Sequence, residues 1–532
     1  MHMCKASLIL SLIASSAQGY ETFKSKCAAL STNGISGSEK TNINFAQFLP
    51  AQSVIDLAAE GVNQTCLGSD DAPPLPTNIC RVSLSVSTSD TSGVIIEAWL
   101  PENWSGRFLS VGNGGFGGCI LYADLAYGVS YGFATVGTNN GHNGTSGGAF
   151  YNQPEVLEDF VWRALYTGVV VGKKVTKQFY GKEHTKSYYL GCSLGGLQGW
   201  GAVQSYPELF DGVVAGAPAI GFDAMFSWIA FLYKTLGFDN SNEAFLSPGH
   251  WALVHKTVMS QCDSLDGLED GILEDSRQCH PDLSALLCPA GATASSDCLT
   301  APQVHALKKV YSPYTVNGTF INSGTNHGAA PGFSDAIYRP VVQTWVLDFF
   351  RYIVFSDPSW DLTQYKDEDA ITGMRASPPG LHSKNGNLSA FRNRGGKVLH
   401  WHGQLDQVVV IENSDRYYDH VSQTMNASPA ELDEFYRYFR ISGTLHCRAG
   451  GPGAHVIGQT WGLNSTDEPE DNILLRMVEW VEHGKGPDFV RGTKFVDNDR
   501  KKGVAFTRDH CKHPAVNMHK DGKWQCITDA HL

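Results

Sequence analysis

The sequence predicts an α/β fold in which helices cover a mostly parallel sheet and a large domain is inserted. Apolar strand-like runs alternate with helix-like segments over residues 82–216, and this alternation resumes at residue 397. Between them, from about residue 222 to residue 395, the sequence becomes rich in turns and contains four cysteines and an acidic loop. Alternating strands and helices are typical of parallel sheets covered on both faces.

The individual elements follow from local patterns. Runs rich in β-branched and aromatic residues predict strands, at 94–100, 108–111, 133–136, 188–190, 212–218, 397–401 and 436–441. An amphipathic stretch predicts a helix over 156–180, which Gly181 ends because glycine adopts the left-handed conformation of a helix terminus. Further helices are expected from residue 194, over 301–311 and from about 471 to 483.

Size and charge restrict the class of protein. The chain has 532 residues, 42% of them hydrophobic, which exceeds a single ordinary core. The formal net charge is −13 and no long basic run occurs, so neither nucleic acid nor an anionic membrane is an expected partner. After the N-terminus, no segment approaches the about 20 apolar residues that a membrane span needs.

The N-terminus has the pattern of a secretory signal peptide. Lys5 precedes a short apolar run over 6–14, and the small residues Ala17 and Gly19 place a cleavage site after Gly19. We therefore expect residues 1–19 to be removed and the protein to be secreted and extracellular.

Cysteines and glycosylation sequons agree with export. Of the 13 cysteines, Cys4 lies in the signal segment, and the other twelve form the even set that is typical of disulfides. Their number does not determine the pairing. Seven N-x-S/T sequons indicate a secreted glycoprotein. They lie at Asn63, Asn103, Asn143, Asn317, Asn387, Asn426 and Asn464.

A nucleophilic serine is predicted from its context. The pattern G-x-S-x-G occurs around Ser130, Ser146 and Ser193. A nucleophile elbow needs a buried strand before the serine and a helix after it. Ser193 alone follows a predicted strand and precedes a helix-compatible stretch, so Ser130 and Ser146 are interpreted as turn residues.

A base and an acid are expected after the serine, in the order Ser, Asp, His. Asp406 follows the strand 397–401 and a turn, although alone it would be a solvated turn residue. His446 lies in a loop after the strand 436–441. Cys192 adjoins Ser193 and Cys447 adjoins His446. A disulfide between the two cysteines would hold their backbones about 6 Å apart, which suits a Ser–His hydrogen bond.

A glycine-rich loop over 112–118 follows the strand 108–111. Small residues there would let the N–H of Gly115 approach a developing oxyanion, together with the N–H of Leu194. The alternatives are a simple turn or a nucleotide loop. A nucleotide loop would require G-x-G-x-x-G leading into a helix, which this segment does not provide.

An acidic loop lies between Cys262 and Cys279. It carries six carboxylates over residues 263–275. Oxygen ligands at short spacing suit Ca²⁺, and Gly267 and Gly271 each follow an aspartate directly. The alternative is an exposed acidic loop. A structural ion is expected rather than a catalytic one, because the loop contains no histidine.

Four segments resemble the tannase/feruloyl esterase family: 191–196, 211–219, 402–406 and 446–453. The resemblance extends from about residue 27 to residue 526. It implies an α/β-hydrolase fold with a large inserted lid domain. We expect the catalytic domain over 20–222 and 395–532 and the lid domain, with the calcium loop, over 223–394.

The resemblance also implies disulfides and metal ligands. The implied calcium ligands are the side chains of Asp263, Asp266 and Asp270 and the carbonyls of Leu268 and Ile272. The implied pairs are Cys27–Cys80, Cys66–Cys119, Cys192–Cys447, Cys262–Cys279, Cys288–Cys298 and Cys511–Cys526. Leu194 and Leu197 stand where polar or basic residues are common in the family. Gln407 stands where proline often follows the aspartate.

The expected function is a serine esterase acting on phenolic acid esters through an acyl-enzyme. From the resemblance, the first expectation is a feruloyl (hydroxycinnamoyl) ester of plant cell-wall polysaccharide, and the alternative is a galloyl ester, as in tannases. A rival from another class is an inactive hydrolase fold used for binding, against which the complete set of Ser193, Asp406 and His446 argues.

Overall fold

The computed structural model describes residues 22–31, 34–35, 40–68, 73–291, 297–329, 344–447, 450–459 and 468–528. The expected signal peptide and the sequon at Asn464 lie outside the described residues. The chain divides into two compact units. The first contains the described residues up to 111, 117–144 and 158–188, and the second contains 112–116, 145–157 and those from 189 onward. These units differ from the expected catalytic and lid domains, so that division stays a prediction.

The first unit contains five strands. They are β1 (Thr41–Leu49), β2 (Ile79–Ser87), β3 (Gly93–Pro101), β4 (Arg107–Val111) and β5 (Ala134–Thr138), in the sheet order β1-β2-β3-β5-β4. Only β4 and β5 are parallel, whereas β1–β2, β2–β3 and β3–β5 are antiparallel. The mostly parallel arrangement expected from the sequence is therefore wrong for this unit. Residues 88–92 join β2 to β3, and so short a connection permits only an antiparallel pair.

Helices of the first unit cover 22–31, Tyr122–Ser130 and Ala164–Tyr180, the last following a π-helical turn at Asp159–Arg163. The helix Ala164–Tyr180 ends at Gly181, whose φ is 74°, as the sequence predicts. Gly168 and Gly172 let it lie close to β5, because a Cβ at these positions would come within 2.4 Å and 2.6 Å of strand side chains.

The second unit contains the carboxyl end of β6 and all later strands. They are β6 (Lys186–Cys192), β7 (Gly212–Gly216), β8 (Tyr314–Val316), β9 (Thr319–Asn322), β10 (Lys397–Gly403), β11 (Tyr436–Ile441), β12 (Phe489–Phe495), β13 (Val504–Cys511), β14 (Val516–Lys520) and β15 (Lys523–Ile527). Four neighbour one another in the order β6-β7-β10-β11, with β7–β10 and β10–β11 parallel. Loops that leave parallel strands at their carboxyl ends share one edge of the sheet.

Helices of the second unit lie along the chain before, between and after these strands, and six of those described lie between β7 and β10. Their bounds are Pro154–Glu158, Leu194–Ser205, Phe222–Leu236, Pro248–Cys262, Ala301–Tyr311, Thr344–Asp348, Asp367–Ala376, Ser389–Asn393, Glu412–Met425, Pro429–Leu432 and Ile473–His483. Three small hairpins, β8–β9, β12–β13 and β14–β15, complete the unit. Nowhere in the described ranges is a helix long and apolar enough to cross a bilayer.

Among the described residues, six disulfides are formed, with the pairing implied by the resemblance. They are Cys27–Cys80, Cys66–Cys119, Cys192–Cys447, Cys262–Cys279, Cys288–Cys298 and Cys511–Cys526. Among the described sequons, Asn63 is half-buried and the others are exposed: Asn103, Asn143, Asn317, Asn387 and Asn426. Their glycosylation stays a prediction.

Candidate active site

Ser193 lies on a tight turn between β6 and the helix Leu194–Ser205. Its φ of 64° and ψ of −123° are strained for a residue with a side chain. Two backbone hydrogen bonds hold this conformation: the Ser193 N–H donates to the Gly216 carbonyl at 3.0 Å, and the Ser193 carbonyl accepts from the Ala219 N–H at 3.1 Å. The geometry is that of a nucleophile elbow.

The two other G-x-S-x-G matches have different surroundings. Ser130 ends the helix Tyr122–Ser130, and its hydroxyl donates to the Tyr127 carbonyl at 2.6 Å. Ser146 caps a 3₁₀ turn, and its hydroxyl donates to Asp348 Oδ2 at 3.0 Å. Both hydroxyls therefore support local structure. Ser146 lies at a turn, as predicted, whereas Ser130 is the last residue of a helix.

Three residues from three loops come together at one edge of the sheet. His446 Nε2 lies 2.9 Å from Ser193 Oγ, and His446 Nδ1 lies 2.7 Å from Asp406 Oδ2. Because the carboxylate can only accept, Nδ1 carries the proton and Nε2 accepts from the serine hydroxyl. The Cys192–Cys447 disulfide connects the two neighbouring backbones with a Cα–Cα distance of 6.0 Å. This is the arrangement of a serine nucleophile with its base.

Asp406 is buried and fully hydrogen-bonded. Its Oδ1 accepts from the N–H groups of Val408 and Val409, both at 2.8 Å, and its Oδ2 accepts from His446 and from His402 Nε2 at 3.1 Å. Burial alone would raise the pKa of Asp406, but the electrostatic attraction of His446 and the hydrogen bonds from His402 and His446 outweigh it. The pKa therefore lies below its usual range. The carboxylate stays ionised and fixes the tautomer of His446.

The glycine-rich loop lies against the first turn of the nucleophile's helix. A Cβ at Gly112 would come within 2.6 Å of Gly195 Cα, and the Asn113 N–H donates to Gln198 Oε1 at 3.0 Å. Gly115 is exposed with a φ of 57°, and no atom lies within 4 Å of its Cβ position. Leu194 is buried at the helix start. The expected oxyanion donors thus lie on two segments in contact, and their role stays a prediction.

Three side chains at the site have roles that were not predicted from the sequence. Gln198 holds the glycine-rich loop, and its only signal is an amide in an otherwise apolar stretch. Gln407 Oε1 accepts from the His446 N–H at 3.1 Å, a contact that proline could not make from this position. His402 belongs to a segment that resembles the family, but no pattern indicates that it reaches Asp406.

The acidic loop is stabilised largely by its own backbone. The carboxylates of Asp263, Asp266 and Asp270 accept from the N–H groups of Gly271, Leu268 and Ile272, respectively. Asp270 Oδ2 also lies 2.6 Å from Arg508 Nη2.

Asp266 Oδ2 is buried and accepts no hydrogen bond. Burial, together with the Glu274 and Asp270 charges, raises the pKa of Asp266 to about 7. Within the described part of the chain, no three His, Cys, Asp or Glu side chains are arranged as a metal cluster. Calcium binding therefore stays a prediction.

The family of this chain follows from its similarity to known proteins. Residues 78–531 match the family described as "Tannase and feruloyl esterase". The chain belongs to this family. The family predicted from the sequence is confirmed, and with it the α/β-hydrolase fold and the class of carboxylic ester hydrolases.

Two relatives of this tannase and feruloyl esterase family member are proteins of Aspergillus species. "Probable feruloyl esterase B" of Aspergillus clavatus is 44% identical over 515 residues, which cover 95% of this chain and 96% of the relative. "Probable feruloyl esterase B-1" of Aspergillus oryzae is 46% identical over 496 residues, covering 91% and 90%.

Two solved structures align over most of the chain. Feruloyl esterase B from Aspergillus oryzae is 44% identical, with a TM-score of 0.89, and the alignment covers 95% of this chain and 100% of that one. Tannin acyl hydrolase from Aspergillus niger is 22% identical, with a TM-score of 0.75 and coverage of 95% of both chains. The second similarity supports the fold alone.

Proposed function

We propose that this protein hydrolyses feruloyl esters through an acyl-enzyme on Ser193. The observation that carries the proposal is the pair of hydrogen bonds from Ser193 to His446 and from His446 to Asp406. The relatives at 44% identity that are called feruloyl esterase B support the feruloyl acyl group. The tannin acyl hydrolase is only 22% identical and supports no galloyl substrate.

In the proposed reaction, Ser193 Oγ attacks the ester carbonyl while His446 Nε2 takes its proton. The N–H groups of Leu194 and Gly115 would stabilise the oxyanion. His446 then gives its proton to the leaving alcohol oxygen, and the acyl group stays on Ser193. Water, activated by His446, attacks the acyl-enzyme and releases the phenolic acid. The Asp406 carboxylate stabilises the imidazolium that forms in both steps.

A labelling experiment and a substrate panel test this proposal. A fluorophosphonate should label Ser193, located by peptide mapping, and the labelled protein should lose its turnover. Methyl ferulate should be hydrolysed with a higher kcat/KM than methyl gallate, with p-coumarate and caffeate esters as further comparisons. Absence of labelling and of turnover would favour an inactive binding fold. Preference for the gallate ester would contradict the feruloyl assignment while leaving the catalytic one intact.

We infer further that the protein is secreted and acts on feruloyl groups attached to plant cell-wall polysaccharide. The signal-like segment 1–19 and the six disulfides support export. The proposal that the feruloyl groups are attached to polysaccharide rests on the family resemblance.

We also propose that the loop 263–275 holds a structural Ca²⁺. Its ligands would be the carboxylates of Asp263, Asp266 and Asp270 and the carbonyls of Leu268 and Ile272. The donors are all oxygen, which suits Ca²⁺, and the unpaired buried Oδ2 of Asp266 would gain a partner. The ion would offset the Glu274 and Asp270 charges that raise the pKa of Asp266.

The loop is connected to the segment that carries the base. Glu274 Oε1 accepts from Ser442 Oγ at 2.8 Å, four residues before His446. Glu274 also pairs with Arg508. Bound Ca²⁺ would therefore stabilise the surroundings of His446 without contacting the substrate.

Removing Ca²⁺ should lower thermal stability more than it lowers kcat. A ligand at 100 times its Kd stabilises the native state by about 2.7 kcal/mol, so chelation should lower Tm by several degrees. Asp266→Asn should bind less Ca²⁺ by elemental analysis. Glu269→Gln is the matched control, because Glu269 is an exposed carboxylate of the same loop outside the ligand set. Equal calcium content in both variants and the wild type would mean that the loop is only acidic.

A further inference from the structure

A chain of buried, hydrogen-bonded polar side chains ends at Asp406. Tyr436, His400, Ser414 and His402 are all 0% exposed. The successive contacts are Tyr436 Oη to His400 Nδ1 at 2.9 Å, His400 Nε2 to Ser414 Oγ at 3.0 Å, and Ser414 Oγ to His402 Nδ1 at 2.7 Å. His402 Nε2 then reaches Asp406 Oδ2 at 3.1 Å.

The donor and the acceptor of each hydrogen bond in this chain can be assigned by starting from His402, which contacts Asp406. His402 Nε2 faces two acceptors, Asp406 Oδ2 and the Val409 carbonyl at 3.0 Å, so it must carry a proton. In the neutral imidazole, Nδ1 then accepts from the Ser414 hydroxyl. Ser414 has one proton, so its oxygen accepts from His400 Nε2–H, and His400 Nδ1 accepts from the Tyr436 hydroxyl.

The chain lies in an aromatic environment without solvent. His400 stacks on Tyr438 with ring centroids 4.4 Å apart, and the His400 and Trp200 rings are T-shaped with centroids 5.7 Å apart. Burial lowers the pKa of His400 well below its ordinary value, which agrees with the neutral imidazole in this assignment. Beyond Tyr438 lie Asp415, which accepts from its hydroxyl, and His513.

His402 and His446 donate to the same oxygen of Asp406. Two backbone N–H groups already hold Oδ1, so the second histidine fixes the plane of the carboxylate. It also withdraws negative charge from the oxygen that faces His446. Hydrogen bonds to a carboxylate weaken its attraction for a proton. Of the two histidines bonded to Asp406, His446 is the base that exchanges protons, whereas His402 remains a hydrogen-bond donor.

We propose that His402 is a positioning residue for the esterase reaction, with Ser414 and His400 keeping its Nε2 as the donor. It would hold Asp406 Oδ2 in place and limit how strongly the carboxylate retains a protonated His446. This inference rests on the proposed function of Ser193, Asp406 and His446. His402 acts through Asp406 and does not touch the substrate.

The test compares two amides that differ by one methylene. In His402→Gln the amide nitrogen extends to the position of Nε2 and still donates to Asp406. In His402→Asn the shorter amide meets Ser414 but does not reach Asp406. We expect kcat to fall about 10- to 100-fold in His402→Asn with KM within about twofold. We expect His402→Gln to retain kcat within about fivefold.

The pH profile separates positioning from general destabilisation. Without the His402 donor, the Asp406 charge holds the proton on His446 more strongly. The ascending limb of kcat/KM should therefore move to higher pH in His402→Asn and stay in place in His402→Gln. Tyr417→Phe is a control, because Tyr417 is a buried tyrosine whose hydroxyl donates to the Asn385 carbonyl at 3.1 Å. Tyr417→Phe should lower Tm without shifting the ascending limb of the kcat/KM pH profile.

If His402→Asn and His402→Gln had equal kcat values and the same position of the ascending limb of kcat/KM, the positioning role would be overturned. If His402→Asn is not recovered folded, His402→Leu removes the same donor at similar volume and enters the same comparison. Failure of the proposed function is recognised separately, because wild-type protein would then neither react with fluorophosphonate nor hydrolyse methyl ferulate. An active wild type with two equivalent amide variants contradicts only the role of His402.

Discussion

Ser193→Ala is expected to abolish turnover of methyl ferulate while the protein still folds. The substitution removes the oxygen that forms the acyl-enzyme, and loss of such a nucleophile costs on the order of 10⁶-fold in kcat. The elbow should persist, because the backbone bonds to Gly216 and Ala219 do not involve the side chain. Turnover by purified protein is compared with wild type, and Tm verifies the fold.

Ser130 and Ser146, the serines of the two other G-x-S-x-G matches, provide the controls. Ser130→Ala loses a hydroxyl that donates to the Tyr127 carbonyl, and Ser146→Ala loses one that donates to Asp348 and accepts from the Gly148 N–H. Both variants should keep most of the activity, and each lost hydrogen bond should lower the free energy of unfolding by about 1 kcal/mol, which a lower Tm would report. Full activity in Ser193→Ala would end the assignment of the nucleophile, and so would loss of activity in Ser130→Ala alone.

The Cys192→Ala/Cys447→Ala double variant is expected to lose more activity than stability. The bridge joins residues 255 positions apart, and the loop-entropy model attributes about 5 kcal/mol to so long a loop, less any native strain. It also fixes the distance between Ser193 and His446, and a displacement near ~1 Å can cost about 10²-fold in rate. The variant should fold poorly but detectably, with kcat falling far more than KM rises.

A second bridge provides the control for the double variant. Cys288 and Cys298 are 10 residues apart and adjoin no member of the triad. Cys288→Ala/Cys298→Ala should lower Tm while leaving kcat near that of wild type. Comparable kcat losses in both double variants would show that the bridge at the triad has no special role. Recovery of Cys192 paired with another cysteine, by non-reducing peptide mapping, would contradict the bridge itself.

Local patterns were sufficient for many elements. The helix Ala301–Tyr311 has the predicted bounds, because Thr300 accepts from the Gln303 N–H and Gln303 bonds back to the Thr300 N–H. Capping signals of this kind lie within four residues of one another. The strand β1 and the hairpins β12–β13 and β14–β15 were not predicted. Antiparallel edge strands depend on their partners more than on a pattern of their own.

The sequence by itself predicted the α/β class, the choice of Ser193 among three matches, and a bridge between the two cysteines beside Ser193 and His446. Each rests on neighbours within a few positions or on chain order. Only the tertiary structure decided the antiparallel pairing of the first unit, the contact of Gln198 with the glycine-rich loop and the two donors on one oxygen of Asp406. The Gln198 contact spans 85 residues, and both bonds to Asp406 Oδ2 depend on how the loops after β10 and β11 meet. Packing and strand register set such distances to within an ångström, and neither is encoded in residue spacing.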